Sequence, residues 1–222
     1  MDVIVFGVGQ LAEVVGHYLD NHSDLTVAGY TVDPDFLPTE PEFRGKPVVP
    51  WDRIAQDFPP DRYQLIGPVS YRDNNRFRRD RYLEGKAMGY RFASFIHPTA
   101  QVETPHVGEN SVILEECTVQ PFSRLGVCSI LWSKVHIGHH ARIGDYCFMA
   151  SFCGIAGNVR VGDCVFFGGM SGVTDNLTVG SDCIVGADTV VTRDLADGAL
   201  AAARGIRVIE GGARRFGKRL LG

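Results

Sequence analysis

The sequence has no hydrophobic run long enough to span a bilayer, and this absence narrows where the protein works. None of its apolar stretches approaches the roughly 18 residues of a transmembrane helix. The first ten residues, MDVIVFGVGQ, carry no basic residue before their apolar run and no small-residue cleavage site, so they do not resemble a secretory signal. We therefore expect a cytoplasmic protein that does not insert into membranes.

The chain also lacks paired cysteines and any large excess of charge of one sign. Its six cysteines include no Cys-x-x-Cys pair, which argues against zinc fingers and dithiol redox sites and favours reduced thiols. The formal net charge of -4 provides no electrostatic basis for binding nucleic acid. A length of 222 residues, 45% of them hydrophobic and 22% charged, predicts one large or two modest globular domains.

The first hundred residues alternate between strand-like and helix-like segments. Such alternation is typical of a small α/β domain with a parallel sheet, which we expect over residues 1–100. A charged segment with a few spaced apolar side chains, Asp73–Gly89, predicts a surface helix. The remaining predicted segments are a helix over Leu11–Leu19 and strands over Val3–Phe6, Leu25–Val32, Pro47–Val49, Tyr63–Ile66 and Phe92–Ile96.

A six-residue repeat replaces this alternation in the second half of the chain. Every sixth residue from Val107 to Val191 is apolar, and at 45% hydrophobic content such a run has a chance probability on the order of 10⁻⁵ in a fixed phase. The residue after each apolar position is often Gly or Ala, and the residue four places after it is mostly small. Chance is therefore a poor explanation for the pattern.

Two periodic sets in each hexad, one large and one small, imply two inward-facing positions in each short strand. Three such strands close one triangular coil, so the repeat predicts five coils over about residues 107–196. Four of the six cysteines fall in the small inward set, and we expect them to be structural thiols rather than reactive ones: Cys117, Cys147, Cys153 and Cys183.

A glycine-rich turn near the N-terminus is a candidate phosphate-binding loop. Gly7-Val8-Gly9 follows a hydrophobic strand and precedes a helix, where backbone N–H groups can hold a phosphate, so Gly7, Gly9 and Gln10 are candidate nucleotide-binding residues. The motif is incomplete, because Ala12 stands in the place of the third glycine. Asp33, at the end of the second predicted strand, could accept a hydrogen bond from a ribose or a nucleobase, or could be a turn residue only.

Several segments together resemble one protein family. They are Val3 to Val15, Ala28-Gly29-Tyr30-Thr31-Val32-Asp33, Gly45-Lys46-Pro47-Val48-Val49-Pro50, and Ile130-Leu131-Trp132-Ser133 leading into His136-Ile137-Gly138-His139-His140. With the hexad repeat, they resemble the hexapeptide-repeat sugar acetyltransferases related to the sialic acid O-acetyltransferase and to the N-acetyltransferases of nucleotide-linked 4-amino sugars. The resemblance covers nearly the whole chain.

This resemblance implies a fold, a reaction and an assembly. The fold would be a Rossmann-like domain that binds the nucleotide sugar (residues 1–100), followed by a left-handed parallel β-helix that binds acetyl-CoA, with a short helical tail (residues 101–222). Acetyl-CoA would be a co-substrate, and no cofactor would be bound permanently. The family forms homotrimers with the active sites between subunits.

Acetyl transfer needs a base for the acceptor's proton and a donor for the carbonyl oxygen. The family's catalytic histidine matches His139, in the sequence His139-His140-Ala141-Arg142-Ile143-Gly144. The family often has Glu directly after this histidine, whereas this chain has His140, so the group that orients the base is left open. Asp145 or a neighbouring subunit could supply a carboxylate, or His140 could be the base and His139 its orienting partner.

Three further residues are candidates for binding the acyl donor. Gly157 follows His139 by eighteen residues, one full coil, and should lie in the adjacent rung. The resemblance implies that its amide contacts the acetyl carbonyl and that Gly169 and Ala187 lie along the pantetheine arm. All three could instead be residues of the repeat pattern alone. Basic residues near the C-terminus, Arg214 among them, could pair with a CoA phosphate or belong to a solvated helix.

Three classes of function remain at this stage. The first is N-acetylation of a nucleotide-linked amino sugar, with O-acetylation of a sugar or sialic acid as the alternative. The second is a zinc enzyme that uses His136, His139 and His140, although these lie too close in sequence for a site that spans two coils. The third is a nonenzymatic sensor of nucleotide sugars.

Overall fold

The computed structural model describes residues 2–203 and Gly205. Residues 2–92 contain a six-stranded sheet, called sheet 1, with the strand order β3-β4-β2-β1-β5-β6. All of its neighbouring strands are parallel except the β3–β4 pair. The elements are β1 (Asp2–Phe6), α1 (Gln10–His22), β2 (Val27–Val32), β3 (Glu42–Phe43), β4 (Lys46–Pro50), α2 (Ile54–Asp57), β5 (Tyr63–Ile66), α3 (Arg76–Ala87) and β6 (Arg91–Phe92).

The predicted alternation of strands and helices is present in this region. The buried strand β1 lies between β2 and β5, and α1 packs on the sheet through Ala12, Val15 and Leu19. Among the described residues, no helix has both the length and the apolar character needed to cross a membrane.

The second half of the chain winds through three parallel sheets that form a parallel β-helix. Strands stack with an offset of eighteen residues through most of the coils, as in the pairing of His136 with Gly154 and of Arg142 with Arg160. Sheet 2 contains β7 (Phe95–Ile96), β9 (Val112–Ile113), β12 (Ile130–Leu131), β15 (Phe148–Met149), β18 (Phe166–Phe167), β21 (Ile184–Val185) and β23 (Leu200–Ala201).

The other two sheets complete the triangle. Sheet 3 contains β8 (Gln101–Val102), β10 (Thr118–Val119), β13 (His136–Ile137), β16 (Gly154–Ile155), β19 (Gly172–Val173) and β22 (Val190–Val191). Sheet 4 contains β11 (Arg124–Leu125), β14 (Arg142–Ile143), β17 (Arg160–Val161) and β20 (Thr178–Val179). The chain runs from sheet 3 to sheet 4 to sheet 2, and we name the three edges the 3/4, 4/2 and 2/3 corners.

The two inward positions of each hexad form the core of the β-helix, as the repeat predicts. The four cysteines assigned to the small inward set are all buried in this core. Burial raises the pKa of the Cys117 thiol to about 11 and that of the Cys147 thiol to about 12. These thiols are therefore protonated core residues at neutral pH, which confirms their structural interpretation.

Two details of the sequence prediction are wrong. The segment Phe92–Ile96 is not one strand, because β6 ends at Phe92 in sheet 1 and β7 begins at Phe95 in sheet 2. The Ala93 amide donates to Leu65 O and the Phe95 amide donates to Ser111 O, so the chain changes sheets within two residues. The helix within Asp73–Gly89 spans only Arg76–Ala87 and is not purely a surface helix, because Arg78 and Tyr82 are buried. The predicted C-terminal tail, Arg214 included, lies outside the described residues.

The outer face of sheet 2 binds the N-terminal region. Val112, Ile130 and Phe148, which point outward from the β-helix, are buried in one cluster with residues of β1, α1 and β2. The Arg78 guanidinium is fully buried at the same contact and donates to Cys128 O and to Asn75 Oδ1. Burial lowers its pKa to about 10. The N-terminal region therefore covers sheet 2, and the part of the chain that the structure describes leaves the opposite 3/4 corner uncovered.

Candidate active site

The two candidate catalytic histidines lie side by side at the 3/4 corner, between β13 and β14. His140 has φ 58°, in the left-handed region, and the same turn recurs one coil away on either side at Phe122 and Asn158. Both histidines are exposed. The His139 amide donates to Gln120 Oε1 at 2.9 Å, which holds the turn in place.

The imidazole rings of the two histidines are in direct contact through their Nδ1 atoms, 3.2 Å apart. One Nδ1 must carry a hydrogen and the other must offer a lone pair, because two lone pairs would repel. If His139 Nδ1 donates, then His139 Nε2 is left with a free lone pair and can accept a proton. His140 then holds the position that a carboxylate would hold in a base–carboxylate pair.

Gly157 lies against the ring of His139, as the one-coil spacing predicts. A Cβ atom on Gly157 would come within 2.7 Å of His139 Cε1 and 2.8 Å of His139 Nε2, so the imidazole occupies the space that a side chain would need. The free nitrogen of His139 therefore lies beside the backbone of Gly157, whereas the His140 ring faces Phe122, with ring centroids 4.9 Å apart. This asymmetry favours His139 as the base and His140 as its partner.

The amide of Gly157 is already hydrogen-bonded. It donates to Asp175 Oδ1 at 2.9 Å, one coil further along the 3/4 corner. Contact between this amide and an acyl oxygen would have to replace or share that hydrogen bond. Asp175 was not identified from the sequence. It follows His139 by two coils of eighteen residues each, so a search for polar residues at multiples of eighteen from His139 would have found it.

The other two candidate acyl-donor residues lie on the opposite border of sheet 3. Gly169 and Ala187 occupy successive rungs of the 2/3 corner, and a Cβ on Gly169 would touch only Ser151 O, at 3.5 Å. The outward face of sheet 3 between the two corners carries Gly154, where a Cβ would meet nothing within 4 Å. The three predicted donor residues thus border one open, uncharged strip that begins beside His139.

Asp145 is not placed to orient His139. It lies six residues further along the chain, on the 4/2 corner, where its Oδ1 accepts from the Val127 amide at 2.9 Å. Six residues carry the chain from one corner of the triangle to the next, so the two side chains lie on opposite sides of sheet 4. The suggestion that Asp145 supplies the carboxylate is therefore wrong.

The predicted nucleotide-binding loop borders a cavity on the N-terminal region. Two adjoining cavities of about 450 and 360 Å³ share Phe6, Gly7 and Gly9, and Gln10 lines the larger one. Gly7 has φ +118°, which favours glycine, and Gly9 is the N-cap of α1 without any side-chain cap. The first amides of α1 are therefore free of side-chain competitors, as a phosphate site at a helix N-terminus requires.

Asp33 lines the smaller cavity but is already paired. Its Oδ1 accepts from Arg81 Nε at 2.8 Å, and Arg81 also contacts the Glu84 carboxylate. The second oxygen of Asp33 makes no hydrogen bond within the described residues. Arg72 lines the same cavity and stacks on Phe77, with its guanidinium 5.0 Å from the ring centroid. The cavity thus combines aromatic surfaces and backbone amides with the Arg72 guanidinium, which forms no ion pair with any of the described residues.

One chain does not bring the histidine pair and this cavity together. Tyr71, which lines the cavity, packs on Phe148 and Phe166 of sheet 2. His139 lies on the corner opposite sheet 2, so the core of the β-helix separates the two sites. Within residues 2–203, no group of three His, Cys, Asp or Glu side chains is arranged to hold a metal ion.

Several solved structures that resemble this chain are acetyltransferases. PerB from Caulobacter crescentus, in complex with CoA and GDP-perosamine, is 27% identical over 91% of this chain and 94% of its own, with a TM-score of 0.78. A histidine-to-asparagine variant of perosamine N-acetyltransferase from Caulobacter crescentus, also with CoA and GDP-perosamine, is 26% identical over 93% of this chain and 98% of its own, with a TM-score of 0.78.

A third structure extends the comparison of the fold. The acetyltransferase domain of PglB from Neisseria gonorrhoeae is 24% identical over 94% of this chain and 99% of its own, with a TM-score of 0.78. No protein-family model matches the chain, and no curated protein matches it. The neighbours confirm the predicted resemblance to hexapeptide-repeat sugar N-acetyltransferases and the prediction that proteins of this kind bind CoA as a co-substrate.

Proposed function

We propose that this protein is an acetyl-CoA-dependent N-acetyltransferase that acts on the amino group of a nucleotide-linked amino sugar. The observation that carries the proposal is the histidine pair, whose Nδ1–Nδ1 contact leaves one Nε2 lone pair beside Gly157. The similarity to an N-acetyltransferase that binds CoA and GDP-perosamine supports this choice of donor and acceptor. O-acetylation of a sugar remains the alternative outcome of the test below.

His139 acts as the general base in this proposal. As the acceptor nitrogen attacks the thioester carbonyl carbon, a C–N bond forms and His139 Nε2 takes the proton that the nitrogen loses. His139 Nδ1 donates its hydrogen to His140 Nδ1, and this hydrogen bond fixes the orientation and the tautomer of the His139 ring. The C–S bond then breaks, and the CoA thiolate leaves and receives the proton from the His139 imidazolium.

The donor binds along sheet 3 and the acceptor binds at the cavity of the N-terminal region. The strip bordered by Gly157, Gly169 and Ala187 is open and uncharged, which suits the neutral pantetheine arm. The Gly157 amide gives up its hydrogen bond to Asp175 and donates to the carbonyl oxygen of the thioester instead. It thereby stabilises the negative charge that develops on this oxygen. Gly7, Gly9 and Gln10 bind the nucleotide, and the free oxygen of Asp33 accepts from its base or ribose.

A homotrimer completes the site. Because the core of the β-helix separates the cavity from the 3/4 corner of the same chain, the acceptor reaches a histidine of a neighbouring subunit. We also propose that the β-helix is left-handed, that sheet 1 with its helices is a Rossmann-like domain over residues 1–100, and that the enzyme works in the cytoplasm. The β-helix and the C-terminal tail form the second domain, over residues 101–222.

Release of the CoA thiol with matched acceptors tests the proposal. Purified protein is given acetyl-CoA with a UDP-, GDP- or dTDP-linked 4-amino sugar, or with the 4-hydroxy analogue of each. We expect rapid thiol release with at least one amino sugar and little with its hydroxy analogue. Equal rates with the two acceptors would contradict N-acetylation, and preference for the hydroxy sugar would establish the alternative.

A further inference from the structure

Three arginines project in register from the outer face of sheet 4. Arg124 pairs with Arg142 and Arg142 pairs with Arg160 on three successive strands, so their Cα atoms stack at about 4.8 Å. All three are exposed. Residues 101–203 contain only five Lys or Arg residues, and three of them form this group, which we name the arginine ladder.

The arginine ladder has no counter-charge within the described part of the chain. None of its members forms an ion pair with an Asp or Glu among residues 2–203, although nine ion pairs are formed elsewhere in that range. Like charges directly opposite each other on neighbouring strands are unfavourable. An anion bound across the ladder would remove this repulsion and would find six guanidinium NH₂ groups on one face.

The other two faces of the β-helix differ from sheet 4. The outward residues of sheet 2 are mostly apolar and contact the N-terminal region. The outward residues of sheet 3 include no Lys, Arg, Asp or Glu: they are Gln101, Thr118, His136, Gly154, Gly172 and Val190. The cationic face is therefore a specific property of sheet 4, and this sheet begins at the 3/4 corner that carries the histidine pair.

The position of the arginine ladder along the coil axis indicates which anion it binds. Arg142 follows His139 by three residues and lies on the same coil, with Arg124 and Arg160 one coil to either side. In a nucleotide-linked sugar, one pyranose ring separates the reacting amine from the diphosphate. In acetyl-CoA, the whole pantetheine arm separates the thioester from the diphosphate. An arginine on the same coil as His139 can therefore reach the diphosphate of the nucleotide-linked sugar but not that of acetyl-CoA.

We propose that the arginine ladder binds the diphosphate of the nucleotide-linked acceptor whose sugar is positioned at His139 of the same chain. This inference rests on the proposed function. Because the nucleotide cavity of the same chain lies beyond the β-helix core, the nucleoside end belongs to the cavity of a neighbouring copy, and the diphosphate lies between the glycine-rich turn of that copy and the arginine ladder. Guanidinium groups suit this ligand, since each can contact two phosphate oxygens at once.

Steady-state kinetics of charge-removing variants test the arginine ladder. We expect Arg142→Gln to raise the KM for the nucleotide-linked amino sugar roughly tenfold, and the triple variant Arg124→Gln/Arg142→Gln/Arg160→Gln to raise it further, with the KM for acetyl-CoA unchanged. High salt should weaken acceptor binding in the wild type and much less in the triple variant. Arg62→Gln is the matched control, because this substitution removes the same charge from an exposed arginine on the N-terminal region.

Each contrary result has a distinct meaning. A rise in the KM for acetyl-CoA alone would assign the arginine ladder to the donor and overturn the proposal. Unchanged KM values together with dissociation of the oligomer would show that sheet 4 is an interface between copies. If the wild type acetylates no nucleotide-linked sugar, the proposed function fails. Calorimetric binding of GDP and UDP to the wild type and the triple variant would then still decide whether the ladder binds a diphosphate, and equal affinities would overturn it.

Discussion

Two corners of the β-helix share one backbone turn but use it differently. At the 4/2 corner, the acceptor side chains of three successive rungs each bind the amide of the preceding rung: Asp145 accepts from Val127, Asp163 from Asp145, and Ser181 from Asp163. Each of these hydrogen bonds is 2.8 to 3.0 Å long. The resulting ladder satisfies one amide per coil and ties successive coils together.

The 3/4 corner interrupts the same ladder at the position of the histidine. Residue 121, one coil before His139, is a proline and has no amide hydrogen to satisfy. Position 139 therefore needs no acceptor for the preceding rung and can hold an imidazole. The His139 amide in turn donates to Gln120 instead of to a carboxylate at position 157, so residue 157 can be glycine and leave space for the ring.

This difference shows how a regular repeat accommodates a reactive site. The ladder hydrogen bonds stabilise the 4/2 corner, whereas the 3/4 corner lacks two of them around His139 and exposes two side chains. Substitutions at the 3/4 corner should therefore change the rate more than the stability, and those at the 4/2 corner should do the reverse.

His139→Ala should have the largest effect. We expect kcat for acetyl transfer to fall by about 10² to 10⁴, the usual range for loss of a general base. Because His139 is exposed, the free energy of unfolding should change by less than about 0.5 kcal/mol. Thiol-release kinetics and urea unfolding measure the two quantities, and Asn176→Ala, two coils away at the same corner, is the control. Full residual activity would move the base elsewhere.

Gly157→Ala should have the next largest effect. The added Cβ would lie 2.7 Å from the His139 ring, so the ring must move. A displacement of this order can lower a rate on the order of 100-fold. The melting temperature should change little, because an exposed side chain can move at low cost. An unchanged kcat would show that the ring position seen here is not the reactive one.

His140→Ala should lower kcat by roughly tenfold, because the orienting contact at His139 Nδ1 is lost. His140→Glu should restore most of the rate, since Glu116 already adopts the same left-handed turn geometry elsewhere in the β-helix. A carboxylate stabilises the imidazolium that His139 forms during the reaction, so the rising limb of the pH–rate profile should move to higher pH. A shift to lower pH would contradict the assigned roles.

Asp145→Ala should have the smallest effect on activity. It removes the acceptor for the Val127 amide at the 4/2 corner, which should cost about 1 to 2 kcal/mol in the free energy of unfolding. The kcat should stay within about twofold of the wild type, since Asp145 does not contact the histidine pair. Urea unfolding and thiol release measure both. A loss of rate similar to that of His140→Ala would remove the distinction between the two corners.

The β-helix could be predicted because the same pattern of apolar and small residues recurs in each hexad. Its inward residues, cysteines included, follow from periodicity alone, and so does the position of Gly157 one coil after His139. The strand predicted over Phe92–Ile96 failed because two strands of similar composition adjoin in sequence and pair in different sheets. No local pattern marks that change of partner.

The coil, its core and the rung of each candidate residue follow from the order of residues, because strand period and coil length are local properties of the chain. Which side chains meet depends on the folded arrangement. It paired His139 with His140, assigned Asp145 to another corner, engaged Asp33 with Arg81, and aligned three arginines beside the histidines. Those contacts depend on how the coils stack and where the N-terminal region packs, which are long-range relations that no single stretch of residues encodes.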